Sequence, residues 1–478
     1  GEKEDEIDCK SPRDHGKDHK KKSKKRKKKK KAAGVDSYET HIIEETLAKV
    51  GQLMQVGFGA AGAEIIKQNL KSGSFNPMLE GKRITAIYMF CDIRRFTDTT
   101  ECLQEDVMVY VNRLGALCHG VTVGYYGMAN KNVGDAFLLS WKLCDGDLSG
   151  FSHFDEETAS VDNMYNPCPP HAGHGEVDRI ISATEMADSA LVATIKICND
   201  LALANVDGNL VEFITRENVI KRFGKDFTIR MGYGVHVGWC IEGAIGSLHK
   251  IDCTYLSPHV ELSDRLEAGS KIFKTPINLS HWFVRLLSPA ARKFLRMVRF
   301  SGLDAFMLVS LYSLASHLFS LSVCLSLSTP PSLLLPLDAY FHLPQQKQVD
   351  RITVPGVALE SEDGETITPQ AMTIFTFDIS DPFRGLFEPQ HQLTENGLKK
   401  QLPVEWGSAA MQSQVRRLRK SIDPRFYNYY SKGINAYVKG DWGNAEQAFS
   451  ASLGWKPADG PTNQLLNYMR SLDMKPPA

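Results

Sequence analysis

The sequence predicts a mixed α/β (α+β) fold, and three observations carry that expectation. Between residue 84 and about 280, short apolar runs of strand length alternate with longer runs whose apolar residues recur every three or four positions. Asp92 and Asp135 each close a strand-like segment beside a turn. The 478 residues, 42% hydrophobic and 23% charged, suffice for several domains with a sizeable core.

The elements follow in order. Formal net charge is zero, but residues 1–31 hold 15 Lys/Arg against 7 Asp/Glu, and eleven of the twelve residues Lys20–Lys31 are basic. Such a run cannot bury apolar surface, so 1–35 reads as a basic, disordered tail. A solvated spacer comes first among its uses. Docking on an anionic membrane surface through Lys20–Lys31 comes second, at roughly 1 kcal/mol per lysine. A nuclear-localisation or nucleic-acid arm comes third, so nucleic acid is not an expected partner. The chain opens on Gly1 and reads as a fragment whose upstream segments are absent.

Residues 36–81 read as an amphipathic linker helix, kinked near Gly57–Gly62. An α/β domain is expected over 82–298 plus 348–380. Its strands are placed at 84–92, 121–126, 135–141, 227–237, 240–245 and 372–378, and its helices at 103–119, 183–205 and 258–269. A polar insertion over 142–178 carries His153, Cys168, His171 and His174. Their spacing is poor for zinc, and a surface loop is the preferred reading.

A Ser/Leu-rich segment, 299–347, interrupts the pattern; 305–337 contains no Asp, Glu, Lys or Arg. Three readings stay open: a membrane span, a buried or disordered insertion, and translated non-coding sequence, with the last two preferred. Residues 381–420 read as an irregular linker. The tail, 421–478, is helical; Ala436, Gly440, Trp442, Ala445, Phe449 and Pro457 fall as in one helix–turn–helix unit of the tetratricopeptide kind. A single unit cannot bury its own face and must pack on something else. The ten cysteines form no Cys-x-x-Cys pair, which suits reduced thiols in a cytosolic protein.

Two carboxylates brought together would make a hard oxygen site for Mg²⁺ or Mn²⁺ and a triphosphate, which points to phosphoryl-transfer chemistry. Four blocks sharpen this: Phe90-Cys-Asp92-Ile93-Arg94-Arg-Phe-Thr97, Lys131-Asn-Val-Gly134-Asp135-Ala-Phe137, Arg230 through Gly246-Ser247, and Thr254-Tyr-Leu-Ser-Pro-His-Val-Glu261-Leu-Ser-Asp-Arg265-Leu-Glu267. In order and spacing they resemble the class III nucleotide cyclase catalytic domain, most of all its large protist and algal forms.

The resemblance implies a ferredoxin-like βαββαβ fold with flanking helical segments. It implies conversion of ATP to 3′,5′-cyclic AMP and pyrophosphate in intracellular signal transduction. Asp92, Asp135 and the Ile93 carbonyl would bind two Mg²⁺ or Mn²⁺ ions. Lys131 would donate to adenine N1 and Thr254 would accept from the 6-amino group, favouring ATP over GTP. Arg265 would steady phosphate charge in the transition state. Because the family's sites form between two catalytic domains, a homodimer or heterodimer is implied. The catalytic domain would be cytoplasmic, joined to a membrane through upstream segments.

Three departures stand out. Glu261 replaces an Asn that orients the ribose, Asp264 replaces a small residue beside Arg265, and Pro355-Gly356 lies where a Lys-Gly often contacts phosphate. The alternatives are therefore a catalytically impaired regulatory or dimerisation subunit, and a guanylate cyclase.

Overall fold

The computed structural model describes residues 41–51, 53, 56–57, 80–143, 181–247, 250–299, 373–388, 391–393, 399–401 and 404–476. The basic tail, the insertion with His153, Cys168, His171 and His174, the hydrophobic segment from 300 onward, and Pro355-Gly356 lie outside these residues. The chain divides into two compact units, Gly1–Phe58 and Gly59–Ala478. The first contains a helix, α1, over 41–51, with Ile43, Leu47 and Val50 exposed along it.

The second unit is built on one open mixed sheet. Its core runs β1 (Lys82–Ile93), α2 (Phe96–Leu103), α3 (Val107–Gly124), β2 (Met128–Val133), β3 (Ala136–Lys142), α4 (Ala183–Asp207), α5 (Val211–Ile214), α6 (Glu217–Phe223) and β4 (Met231–Ser247). The strand order β2-β3-β1-β4, antiparallel throughout, is the ferredoxin-like βαββαβ arrangement. β5 (Lys250–Leu256) pairs with the distal half of β4, and α7 (Pro258–Phe273) leads back to β6 (Ile277–Ser280), parallel to β4. After α8 (His281–Leu286) and α9 (Pro289–Arg292), β7 (Arg296–Arg299) and β8 (Thr373–Thr376) complete the sheet.

Strand alternation sorts β1 between two cores. Ile87, Met89, Cys91 and Ile93 join the main cluster with Leu114 of α3 and Leu191 and Ile195 of α4. Ala86 and Tyr88 face the other side, with Leu138, Cys240 and Tyr255. Among the described helices, α4 has the length and apolarity to span a bilayer, but its side chains are buried in the main core. A capping box fixes its start: Ser182 accepts from the Glu185 N–H, and the Glu185 carboxylate accepts from the Ser182 N–H.

The described cysteines are all free, with Cys91, Cys118 and Cys240 buried. Three expectations need correction. The run at 121–126 is not a strand: Tyr110, Leu114, Cys118 and Thr122 form a buried i, i+4 stripe that carries α3 through to Gly124. The two strands expected over 227–245 are one long strand, β4. Residues 381–420 are not merely irregular: β9 (His391–Leu393) and β10 (Lys399–Gln401) pair as a hairpin, followed by α10 (Ala409–Leu418). Phe383, Leu386, Trp406, Val415 and Leu418 from this stretch enter the main core.

The tail forms α11 (Pro424–Val438), α12 (Trp442–Leu453) and α13 (Gly460–Ser471), with its own core around Phe426, Tyr430, Phe449 and Met469. It is fastened to the sheet by a buried ion cluster. Arg296 donates to Asp378 at 2.9 and 2.7 Å and to Asp459 at 3.0 Å through each terminal nitrogen. Lys456 reaches Asp378 at 2.9 Å and Asp459 at 3.0 Å. The Tyr430 hydroxyl donates to the Met297 carbonyl at 2.8 Å.

Candidate functional site

Asp92 sits next to last in β1, opposite Ala136, the first residue of β3. Asp135 occupies the two-residue turn between β2 and β3, after Gly134 at φ 61, the glycine-first pattern of a type II′ hairpin. The Ile93 N–H donates to the Asp135 carbonyl at 3.3 Å, tying the strand end to the turn. The pairing of Asp92 with Ala136 sets Asp92 beside the turn that carries Asp135. Burial and the neighbouring Asp92 charge push Asp135 up to about 6. Burial also raises Asp92, against the pull of Lys271 and Arg94.

The donors here are hard oxygens. Among the described residues no group of three or more His, Cys, Asp or Glu side chains is arranged to hold a metal. An ion at this pair would therefore complete its shell with carbonyl, phosphate and water oxygens, which suits Mg²⁺ or Mn²⁺. Two carboxylates held together against their own repulsion fit such a cation.

Arg94, one residue past β1, was not singled out by sequence reasoning. Its guanidinium donates to Asp92 Oδ2 at 3.0 Å through Nη1. Its Nη2 pairs with the Glu267 carboxylate, donates to the Ser270 hydroxyl, and reaches the Glu267 carbonyl at 3.3 Å. Lys271 Nζ lies 3.8 Å from the same Asp92 oxygen. Burial raises the Glu267 carboxyl to about 8, against the pull of Arg94. The position needs a glycine opposite: a Cβ on Gly232 would overlap both the Arg94 guanidinium and the Glu267 carboxylate. A Cβ on Gly234 would likewise strike the α7 backbone at Ser263 and Glu267. Gly232 and Gly234, which fall within the third sequence block, thus allow α7 to lie directly on β4.

The start of α7 is anchored just as closely. Ser257 caps it, accepting from the His259 N–H at 3.0 Å, and Pro258 takes the first turn, where a missing N–H costs nothing. The His259 ring fills the notch left by Gly238 and lies 3.0 Å, Nδ1 to Nε2, from buried His236, whose Nδ1 is 2.7 Å from the Ser280 hydroxyl. Burial holds both imidazoles below their ordinary pKa, so they stay neutral.

Arg265 and Glu261 lie one turn apart on α7 and form an i, i+4 ion pair, with Arg265 14% and Glu261 61% exposed. The residue standing in place of the expected Asn therefore engages the arginine; Asp264 was the competitor singled out from sequence. Lys131 on β2 pairs with Leu138 across a β-bulge at Asn130 and shares that residue's face of the sheet. The bulge leaves the buried Asn130 amide with no partner among the described residues, a second feature invisible from sequence.

Thr254 on β5 is half-buried and pairs with Gly243. Its neighbours Cys253 and Tyr255 pack with Leu138 and Tyr88, so β5 folds over the face that Lys131 shares. One chain thus brings together Asp92, Ile93 and Asp135, and separately carries Arg265 with Glu261 on α7.

A bacterial light-regulated adenylyl cyclase is 20% identical with a TM-score of 0.35, over 51% of this chain and 56% of that one. The chain thus spans little more than half of that protein's length. The adenylyl cyclase CyaB from P. aeruginosa is 18% identical with a TM-score of 0.30, over 47% of this chain and 89% of that one. The guanylyl cyclase Cya2 is 17% identical with a TM-score of 0.29, again over 47% and 89%. Such distant likenesses carry no weight in assigning activity. A family model described as the all-helical domain of RasGEFs matches residues 7–71, upstream of the sheet. No curated protein matches the chain.

Proposed function

We propose that residues 82–298 with 348–380 act as a nucleotide cyclase domain that converts ATP to 3′,5′-cyclic AMP and pyrophosphate as a dimer. The observation that carries this reading is the abutting of Asp92 and Asp135 at the end of β1 and the β2–β3 turn. Asp92, Asp135 and the Ile93 carbonyl would hold Mg²⁺ or Mn²⁺, which supplies activation of the ribose 3′-oxygen and neutralisation of the triphosphate. Lys131, a donor on β2, suits adenine N1, and Thr254 can accept from the 6-amino group. Arg265 would act on the phosphates bound by a second copy's aspartates, so each dimer would hold two composite sites. Catalysis would come from positioning and charge complementarity.

The Glu261–Arg265 pair favours a second reading, a cyclase-like subunit that binds nucleotide and regulates without turnover. A carboxylate at 261 adds negative charge near a triphosphate and competes for the arginine. Incubating purified protein with ATP or GTP and Mn²⁺ separates the readings. Cyclic AMP supports the first. Bound ATP without product, with turnover restored by Glu261→Asn, supports the second. Cyclic GMP as the main product would sink the adenine preference assigned to Lys131.

A further inference from the structure

We propose that Arg94 is a built-in cation that guards Asp92, so that a divalent ion must displace it to load the carboxylate pair. The inference deepens the cyclase reading and rests on it for the identity of the metal ligands. Two carboxyl groups, Asp92 and Glu267, converge on Arg94, and Lys271 is a second cation on Asp92. Both cations fall on one oxygen, Asp92 Oδ2, at 3.0 and 3.8 Å. That oxygen is therefore already compensated before any ion arrives.

The guard is held from behind. Arg94 Nη2 keeps the Glu267 carbonyl and the Ser270 hydroxyl as acceptors and the Glu267 carboxylate as an ion-pair partner, all on α7. Releasing Nη1 from Asp92 thus leaves the guanidinium hydrogen-bonded. That asymmetry makes Arg94 a displaceable partner rather than a permanent one. Gly232 supplies the space in which the guanidinium lies, since any Cβ there would overlap it.

Because Arg94 ties Asp92 to α7, the guard also links metal loading to the helix that carries Arg265 and Glu261. The far end of that helix is held by the tail: Gln464 of α13 donates to the Ile272 carbonyl at 3.1 Å, and Gly460 packs so closely on Phe273 that a Cβ would overlap its carbonyl.

Direct Mn²⁺ binding to the full chain, followed by electron paramagnetic resonance without nucleotide, tests the inference apart from turnover. Arg94→Met, paired with Glu267→Gln so that no buried carboxylate is stranded, is expected to bind Mn²⁺ about tenfold more tightly than wild type. Lys271→Met, at a side chain 59% exposed and thus tolerant of change, is expected to tighten binding by a smaller factor. Asp92→Asn is expected to abolish the site. Unchanged or weakened binding in the Arg94 and Lys271 variants, with wild-type binding still lost in Asp92→Asn, overturns the guard and leaves the cyclase reading standing. Absence of Mn²⁺ binding in wild type and in every variant overturns both.

Discussion

Replacing Arg296 with Met should release the helical tail from the sheet. Its side chain is 4% exposed, and its partners Asp378 and Asp459 are comparably buried. Burial alone would raise the Asp378 carboxyl; Arg296 and then Lys456 outweigh it and hold that carboxyl well below the usual range. Arg296→Met removes four charge-assisted hydrogen bonds and leaves two buried carboxylates with Lys456 as the main remaining cation. Breaking a buried pair from one side costs about 3–5 kcal/mol, a large part of the 5–15 kcal/mol typical of a folded domain. Urea unfolding followed by tryptophan fluorescence, with hydrogen exchange in α11–α13, would read the loss. The tail amides should lose protection first. Arg296→Met with Asp378→Asn should recover part of the loss, because one stranded charge is gone. A loss below about 1 kcal/mol, or full loss in the double variant, would refute the assignment of this cluster as the fastening.

Three further outcomes follow from the site and the core. Lys131→Glu exchanges a donor for an acceptor at the position proposed to face the purine, so the ATP-to-GTP preference in a Mn²⁺ assay should fall by at least about a hundredfold. Burial raises the Asp188 carboxyl to about 7 although it accepts from the Ser288 N–H at 3.0 Å. Its contribution to stability is therefore complete below about pH 4 and lost as pH rises through 7. Asp188→Asn keeps the acceptor and cannot ionise, so its thermal stability relative to wild type should climb between pH 4 and 7 and level off above, by roughly 4 kcal/mol at about 1.4 kcal/mol per pKa unit. Mixing Asp92→Ala chains with Arg265→Ala chains, each inactive alone, should restore about a quarter of wild-type turnover through one intact composite site per mixed dimer; no recovery would speak against sites shared between chains.

Much of the sheet was legible because its signals are local. Asp92 follows an apolar run of strand length, Asp135 follows a turn glycine, and Pro258 and Pro424 mark helix starts where the structure has them. The misreading at 121–126 came from Val121 and Val123, which alternate like a strand, while the deciding stripe of Tyr110, Leu114, Cys118 and Thr122 has a helical period. Trp406 gave no periodic cue, yet it is a large buried anchor that draws the expected linker into the core. Arg94 was hidden for a different reason: its partners Glu267 and Ser270 lie 173 and 176 residues further along, and only the fold brings them to it. The Arg296 cluster joins residues 82 and 163 positions apart, which no local pattern announces.

The central claim is that Asp92 and Asp135 form the metal-binding half of a cyclase site. Its most direct test is to quantify 3′,5′-cyclic AMP and pyrophosphate formed from ATP and Mn²⁺ by wild type and by Asp92→Ala and Asp135→Ala chains shown by circular dichroism to be folded. Wild type should give the two products in equal amounts, and neither variant should give any. Equal product from wild type and a folded variant would contradict the claim.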